Sequence, residues 1–403
     1  IIRALTPSSN GLEKRPKLRF PGFDEPYKQC RIGDIYAERS QRGASDMELL
    51  SVTMNDGVMP RSEIEGKDNS SEDKSNYKVV LTGDMVYNSM RMWQGANGIS
   101  PCDGIVSPAY TVLMPKIPIS NGYFAAFFKS PNLINEFRKN SQGMTSDTWN
   151  LKYPQIETIK VCIPALSEQN RVADMLRTLE RRIAKQAQLV DNLKKYKRGV
   201  VRTLLSPDSC CIEETTWTTA KIGDLGSFTK GAPLSKADIT PDGTPFILYG
   251  ELYTTYHEVI NSVIRRTKAQ PEKQYYSHVG DVIIPTSGET PEEISTAACV
   301  MLPDIILAGD LNIFRSSKID GRIMSYILNH IVNGQIARIA QGKSVVHIQA
   351  SEISKIEISY PDYNTQCKMI SVFETVGARI KSAENELTYL RTMQKALLQQ
   401  LFI

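Results

Sequence analysis

Apolar and polar positions divide the chain into two alternating kinds of segment. Over 25–166 and 217–363, short apolar runs are separated by Gly, Pro, Asn, Asp and Ser, as where Lys78-Val79-Val80-Leu81 precedes a turn. Such runs are typical of strands joined by turns. Within each segment, apolar residues at helical spacing predict one short helix, at about 123–139 and about 323–340. We therefore predict a mixed α+β globule in each segment.

An uninterrupted helical pattern follows each globule. Apolar residues recur every three or four positions over 167–205 and 364–403, and no proline interrupts them. Each helix must bury one apolar stripe, and the nearest partner is the stripe of the other helix. We predict two long antiparallel coiled-coil helices, with Ser167 and Asn364 as N-capping residues. At ~1.5 Å per residue, about 36 residues span roughly 54 Å.

The sequence contains an internal repeat of about half the chain, which fixes the architecture before any single motif is considered. The matching positions are Ile32-Gly33-Asp34 with Ile222-Gly223-Asp224, Gly83-Asp84 with Gly280-Asp281, Pro164 with Pro361, and Gln169 with Gln366. The last three pairs share a displacement of 197 (280 − 83). In contrast, 36–79 and 226–276 show no convincing similarity. The matching positions form a repeated frame, and the stretches between them diverge. We therefore predict two mixed α/β domains in a pseudo-two-fold internal repeat, separated by the long helices.

Composition narrows the class without naming a function. The 403 residues carry a formal charge of +4, which permits a polyanionic partner. Seven scattered cysteines without a C-x-x-C pair suggest neither a disulfide framework nor a structural zinc site, and they fit a reducing cytoplasm. No apolar run approaches the roughly 18 residues that a membrane span needs. We expect a cytoplasmic protein without a membrane partner.

Enzyme signatures fail when they are tested one by one. Gly342-Lys343-Ser344 resembles the end of a phosphate-binding loop, but the glycine that should open the loop is missing. Ser107-Pro108-Ala109-Tyr110 resembles the base-holding loop of amino-methyltransferases, yet alanine replaces the second proline. Asp56 with Glu65-Gly66-Lys67 lies in a polar stretch that reads as a loop. The four histidines lack metal-ligand spacing, so we predict no catalytic site and no metal site.

Taken together, these motifs resemble one family, the specificity subunits of Type I restriction-modification systems (HsdS-like). The residues that carry the resemblance are the lead-in Leu18-Arg19-Phe20-Pro21-Gly22-Phe23, both Ile-Gly-Asp openings, both Gly-Asp turns, and the Pro and Gln at the start of each long helix. In the second copy, Thr365-Gln366-Cys367-Lys368 departs from the pattern that Glu168-Gln169-Asn170-Arg171 follows. This departure weakens the expectation that both helix starts make identical partner contacts.

The resemblance implies a non-catalytic subunit with two target-recognition domains, each reading one half of a split sequence in double-stranded DNA. The long helices would set the spacing and dock two modification (methyltransferase) subunits, with restriction subunits in the full complex. S-adenosylmethionine, ATP and Mg are then expected on partner subunits and no cofactor on this chain. The implied division is 1–24 lead-in, 25–166 first recognition domain, 167–205 first spacer helix, 206–216 linker, 217–363 second recognition domain and 364–403 second spacer helix.

Residues that contact DNA are expected on loops, with Lys and Arg at phosphates and Arg, Asn, Gln, Ser or Thr at base edges. In the first domain the candidates are Arg39, Arg42, Asn88, Arg91 and Gln94. In the second domain they are Lys230, Lys236, Thr286, Ser287, Lys343 and His347. For each of them a solvated surface position is the competing interpretation.

The first long helix is rich in basic side chains. Three interpretations stay open for it: a solvated face, an approach to the DNA backbone, or a contact with acidic partner helices. Two other functions also stay open for the chain, a coiled-coil adaptor without a DNA role and a DNA methyltransferase or nuclease. The basic residues are Arg171, Arg177, Arg181, Arg182, Lys185, Lys194, Lys195, Lys197, Arg198 and Arg202.

Overall fold

The computed structural model describes residues 3–4, 16–43, 46–54, 57–68, 70–145, 148–208, 215–340 and 346–402. The chain divides into two compact units. The first unit comprises Ile1–Ala187 and Asn385–Ile403, and the second comprises Gln188–Glu384. No helix in these described ranges is long and apolar enough to cross a membrane.

The first unit is built on a four-stranded antiparallel sheet. Its strands lie in the order Tyr36–Glu38, Tyr110–Pro115, Met85–Asn88 and Asn97–Ile99. A separate strand pair, Lys28–Arg31 with Lys160–Ile163, closes the beginning of the unit against its end. The other strands are Arg3–Ala4, Leu18–Arg19, Leu50–Thr53, Gly57–Pro60, Lys78–Val80 and Gly104–Val106. The helices before the long one are Ile32–Ile35, Arg61–Glu63, Met92–Gln94, Asn121–Phe127, Pro131–Asn140 and Tyr153–Ile156.

The second unit repeats this sheet and adds one strand. The order is Gly226–Lys230, Leu311–Ser316, Asp281–Pro285, Ala298–Val300 and Val259–Ile260, of which only the last pair is parallel. Its closing pair joins Trp217–Lys221 to Glu357–Pro361. The other strands are Thr244–Leu248, Arg266–Thr267, Ser287–Gly288, Ile306–Ala308 and Val346–His347. The helices before the long one are Ile222–Leu225, Lys236–Asp238, Glu251–Thr254, Lys273–Tyr275, Pro291–Ile294, Gly321–His330, Asn333–Ile339 and Ala350–Ile353.

The repeated Ile-Gly-Asp motif has a packing reason in both units. A Cβ atom on Gly33 would lie 2.9 Å from Cβ of Glu157, so only glycine fits this close approach. The same space beside Gly223 is limited by Ser354, whose Cβ would be 3.0 Å away. In both units the glycine amide donates a 3.0 Å hydrogen bond to the backbone oxygen of that neighbour. The motif therefore fixes how each unit closes on itself.

The two short helices predicted from periodicity are each divided in two. In the first unit Asn121–Phe127 ends before Ser130, and Pro131 then opens a second helix at a position where its missing amide hydrogen costs nothing. In the second unit the break lies at Ile331 and Val332, between Gly321–His330 and Asn333–Ile339. Apolar spacing continues through both breaks, which is why the pattern alone predicts one helix.

The long helices span Leu166–Leu204 and Tyr363–Gln400. The predicted N-caps are wrong, because Ser167 and Asn364 lie inside the first turns. In the second helix Asp362 takes the capping role, since its Oδ1 accepts the Thr365 amide at 3.0 Å.

The packing of the long helices is antiparallel within each unit. In the first unit Val172 shares a core with Phe402, and Arg182 pairs with Glu386 at 2.9 Å. In the second unit Lys194 pairs with Glu384 at 2.7 Å, and Val201 shares a core with Met369, Ile370 and Phe373.

The two cores differ in residue type. In the first unit the core is aromatic, with Tyr123 and Phe127 in ring contact with Phe402 at centroid distances of 5.3 Å. In the second unit the core is mainly aliphatic and extends from Ile222 to Phe373. The C-terminal end of each long helix is buried in one of these cores, so the apolar stripe of each helix contributes directly to the stability of a unit.

Candidate nucleic-acid interface

A buried glutamine at the start of the first long helix joins three parts of the first unit. Gln169 donates from Nε2 to the Pro164 oxygen at 2.9 Å, and its Oε1 accepts the Ser120 amide at 3.0 Å. Ser120 precedes the helix Asn121–Phe127, so one side chain ties the closing strand, the long helix and that helix together. The repeated glutamine is therefore part of the frame.

The second copy makes the same arrangement. Gln366 donates to the Pro361 oxygen at 2.8 Å and accepts the Asp320 amide at 2.9 Å. The neighbouring positions differ between the copies. In the first unit Glu168 forms a buried ion pair with Arg19 at 2.8 Å, whereas Thr365 lies against Thr215, with their hydroxyl oxygens 3.5 Å apart. The Thr365 hydroxyl also donates to the Asp362 carboxylate at 3.0 Å, so the sequence departure replaces a buried ion pair with hydrogen bonds of an uncharged side chain.

Each Gly-Asp turn places a buried carboxylate beneath an arginine. Gly83 and Gly280 have φ angles of +90° and +95°, the left-handed conformation that favours glycine. The following Asp84 accepts from Nε of Arg39 at 2.6 Å, and this hydrogen bond raises the arginine pKa. Asp281 accepts likewise from Nε of Arg315 at 2.7 Å. The guanidinium of Arg39 is thus committed to a structural pair, which favours a positioning role over a phosphate contact.

Three first-unit candidates lie on one surface turn. Asn88 ends the strand Met85–Asn88, Arg91 is the exposed residue before the short helix Met92–Gln94, and Gln94 is exposed at the end of that helix. Arg42 is exposed at a different place, where it forms an isolated bridge with Lys78. The structure therefore brings Asn88, Arg91 and Gln94 together and leaves Arg42 apart.

Three second-unit candidates also meet. Ser287 pairs with His347 in a short antiparallel ladder, and Thr286 accepts the Ile348 amide at 3.0 Å. The His347 side chain is exposed, whereas Ser287 is buried and donates to Asp310 at 2.9 Å.

The remaining second-unit candidates lie elsewhere. Lys230 is exposed and donates to the buried Asn312 at 2.9 Å, and Lys236 is exposed on a different short helix. Lys343 lies outside the described residues.

An equivalent backbone hydrogen bond lies beside the candidate residues in each unit. In the first unit the Leu151 amide donates to the Ser89 oxygen at 2.9 Å, and in the second the Ile348 amide donates to the Thr286 oxygen at 3.0 Å. Both partners of this hydrogen bond are displaced by 197 between the units (348 − 151 and 286 − 89). In the first unit the residues that return to the turn are 141–145 and 148–150, hereafter the returning loop. Sequence reasoning named no residue in it. The available signal was the displacement itself, which carries His347 onto Asn150.

Several basic residues of the first long helix have partners within their own unit. Arg171 lies over the ring of Phe20 at 5.5 Å, and Arg182 and Lys194 pair with glutamates of the second long helix. These contacts, which include intramolecular pairs across the helix surface, favour a structural role for part of the basic run.

Lys197 belongs to a buried charged cluster in the second unit. Glu258 accepts from Lys197 at 2.7 Å and lies 2.8 Å from the His330 ring nitrogen. Burial raises the pKa of Glu258, but the hydrogen bond with His330 and the charge of Lys197 outweigh it and hold the pKa at about 2. Tyr326 stacks on His330 and lies beneath the Lys197 ammonium. The cluster therefore attaches the first long helix to the second unit.

The motifs that resembled enzyme signatures take structural positions where they are described. Ser107 to Tyr110 form a tight turn between two strands, closed by the Tyr110 amide on the Ser107 oxygen at 2.9 Å. Gly66 and Lys67 lie in a loop whose backbone oxygens accept from Arg61. Asp56 and Gly342-Lys343-Ser344 lie outside the described residues. Across the described part of the chain, no group of three His, Cys, Asp or Glu side chains is placed to hold a metal ion.

The chain is similar to known proteins in part of its sequence and in its fold. Residues 214–391 match the family model described as Type I restriction modification DNA specificity domain. The fold resembles a chain from a structural study of complex assembly and conformational transition of the type I R-M system, at 13% identity and TM-score 0.61, over 93% of this chain and 97% of that one. It also resembles the Type-I restriction-modification system S subunit from M. genitalium, at 14% identity and TM-score 0.58, over 97% and 99%. The second unit is thus similar to a Type I restriction modification DNA specificity domain, and the fold of the whole chain is similar to that of a Type I S subunit.

Proposed function

We propose that the two units read different halves of a split target in double-stranded DNA, and that the chain itself catalyses no reaction. The observation that carries the proposal is the pair of candidate surfaces on one repeated backbone contact. One backbone hydrogen bond, Leu151–Ser89 in the first unit and Ile348–Thr286 in the second, recurs at equivalent positions, while the side chains around it differ. Two readers of unlike half-sites need this combination of equal framework and unequal contacts.

The long helices set the distance between the half-sites in this proposal. They have 39 and 38 residues, and at ~1.5 Å per residue each spans close to 60 Å. Their ends pack in the cores, and the length between those ends suits a spacer. Two modification subunits dock on the chain, and restriction subunits join the full complex in the cytoplasm. S-adenosylmethionine, ATP and Mg belong to those partners.

Within each unit, exposed polar groups at the candidate surfaces supply the DNA contacts. Arg91 and Gln94 in the first unit and His347 in the second present side chains able to reach base edges or phosphates. Lys230, Lys236 and Arg42 supply peripheral phosphate contacts, which position the duplex without reading it. Lys343 is included on its sequence position alone.

The test is co-expression with a modification subunit, followed by mapping of methylated positions on random-sequence DNA with and without this chain. Methylation at a split motif that depends on the chain supports the proposal and reveals the target. A methylation pattern that is unchanged by the chain would instead favour a coiled-coil adaptor. Methyl transfer by the isolated chain with S-adenosylmethionine would refute the non-catalytic assignment.

A further inference from the structure

The returning loop of the first unit is a built element. Its ends are joined by a pair of hydrogen bonds between Gln142 and Asn150, of 3.0 and 2.8 Å. Thr148 closes a turn inside it, since its amide donates to the Thr145 oxygen at 2.9 Å and its hydroxyl accepts the Thr145 amide at 3.2 Å. Gly143 has φ +149°, and a Cβ there would lie 2.6 Å from the Thr148 oxygen. These hydrogen bonds fix residues 141–145 and 148–150 relative to one another.

Two tryptophans hold this loop beside the candidate turn. The rings of Trp93 and Trp149 meet edge to face with centroids 5.2 Å apart, a favourable aromatic geometry. Trp93 also donates from its indole to the Met90 oxygen at 3.1 Å. Because Trp93 lies between Arg91 and Gln94, the loop and the two exposed polar candidates form one continuous surface.

The loop presents an apolar side chain with no fold-stabilising contact of its own. Met144 is 99% exposed, the highest value among the exposed large apolar residues of the described chain. Covering such a side chain removes apolar surface from water, which is favourable. Met144 therefore offers an apolar contact beside the exposed polar side chains of Arg91 and Gln94.

The internal repeat indicates which ligand this surface contacts. At the displacement of 197, Asn150 is the counterpart of His347, the last residue of the strand Val346–His347 (347 − 150). Trp149 is likewise the counterpart of the buried Val346. Equivalent positions beside one recurring backbone hydrogen bond therefore carry different side chains, as expected of elements that read different base pairs.

We propose that the returning loop enters the DNA groove at the half-site of the first unit, with Met144 in apolar contact with a base edge. This inference rests on the proposed function. In the major groove the thymine methyl is the apolar feature of the base edges, so the loop would select a pair containing thymine. Arg91 and Gln94 would contact the same half-site from the adjacent turn.

The experiment compares Met144→Ala with the wild-type chain in the assembled methylating complex. Methylated motifs are mapped on random-sequence DNA, and affinity is measured on the wild-type target. Removing the exposed side chain leaves the melting temperature unchanged. It weakens binding about fivefold and relaxes one thymine-containing position of a single half-site. Ile264→Ala is the control, because it removes a 62% exposed apolar side chain from the second unit and leaves that position selective.

A second variant tests the shape of the loop instead of its tip. Gly143→Ala forces the backbone away from Thr148, and it relaxes the same half-site while the other half stays selective. If both variants keep the wild-type motif and an affinity within twofold, the returning loop does not read DNA. Loss of complex assembly without any change in the motif would assign it to a protein contact and overturn the inference. Failure of the wild-type chain to direct any split motif would overturn the proposed function first.

Discussion

Replacing Gln169 with alanine tests whether the repeated glutamine holds the frame of the first unit. The substitution removes two hydrogen bonds, one to the Pro164 oxygen and one from the Ser120 amide. Both bonds are buried, and the glutamine itself is only 3% exposed. Alanine leaves that amide and carbonyl without a partner in a place that water reaches poorly.

The expected loss follows from those two groups. A buried backbone group that loses its partner costs about 1–3 kcal/mol, so two groups with partial relaxation give a loss of about 3 kcal/mol. The matched change Gln366→Ala removes the same two bonds in the second unit, but the Asp320 amide lies in a partly buried place. Water can replace part of the second-unit arrangement, so its loss is smaller, at about 2 kcal/mol.

Amide hydrogen exchange reports each unit separately, which a single unfolding midpoint does not do in a chain of two units. In Gln169→Ala, protection falls in the strand Lys160–Ile163 and the helix Asn121–Phe127 and is kept in the second unit. Gln188→Ala, an exposed position of the first long helix, is the control and stays within about 0.5 kcal/mol of wild type. A Gln169→Ala chain as protected as that control would refute the assigned role.

Three further outcomes are expected. The pKa of Glu258 is about 2 against an ordinary 4.5, so its contribution to stability is complete above pH 4.5 and is lost as pH falls toward 2. The loss is about 3 kcal/mol. In unfolding measured against pH, Glu258→Gln flattens this dependence. Glu168→Thr places the second-copy residue beside a buried Arg19 and destabilises the first unit by about 3 kcal/mol in denaturant unfolding, whereas a matching loss of Arg19 restores part of it. Arg91→Ala weakens binding to the first half-site by about 1–3 kcal/mol without a change in melting temperature, and an unchanged affinity would remove it from the interface.

Much of the fold could be predicted because the sequence contains an internal repeat, so each structural motif occurs in two copies. The Ile-Gly-Asp openings, the Gly-Asp turns and the glutamines each impose a steric or hydrogen-bonding requirement that few residues meet, so they recur in the same order in both units, the turns and the glutamines at one displacement of 197 (280 − 83). The N-cap of the second long helix was mispredicted because Asp362, two residues before Asn364, caps that helix. Asp and Asn are both favoured at N-caps, so the pattern alone does not choose between two such residues this close together.

Less of the candidate site was accessible, since an exposed side chain leaves no periodic signal. Arg39 and Arg91 look alike in sequence, yet one is bound to a buried carboxylate and the other is exposed. Which of them is free depends on a contact between residues 39 and 84, far apart along the chain. The returning loop was missed for a related reason, because Trp149 meets Trp93 only after the backbone has folded.

The two copies also show which parts of the frame tolerate change. Gln169 and Gln366 make the same two hydrogen bonds in both units. The residue before the glutamine changes from Glu168, paired with Arg19, to Thr365, which lies against Thr215. A buried ion pair can be exchanged for the hydrogen bonds of an uncharged side chain, here from Thr365 to Asp362, when both partners of the ion pair change. The desolvation cost of the two charges then disappears along with their attraction. A backbone amide and carbonyl cannot be removed in the same way, so their partner must stay. The invariant part of each unit is therefore set by backbone groups that need a partner, and the side chains around it are free to differ in what they read.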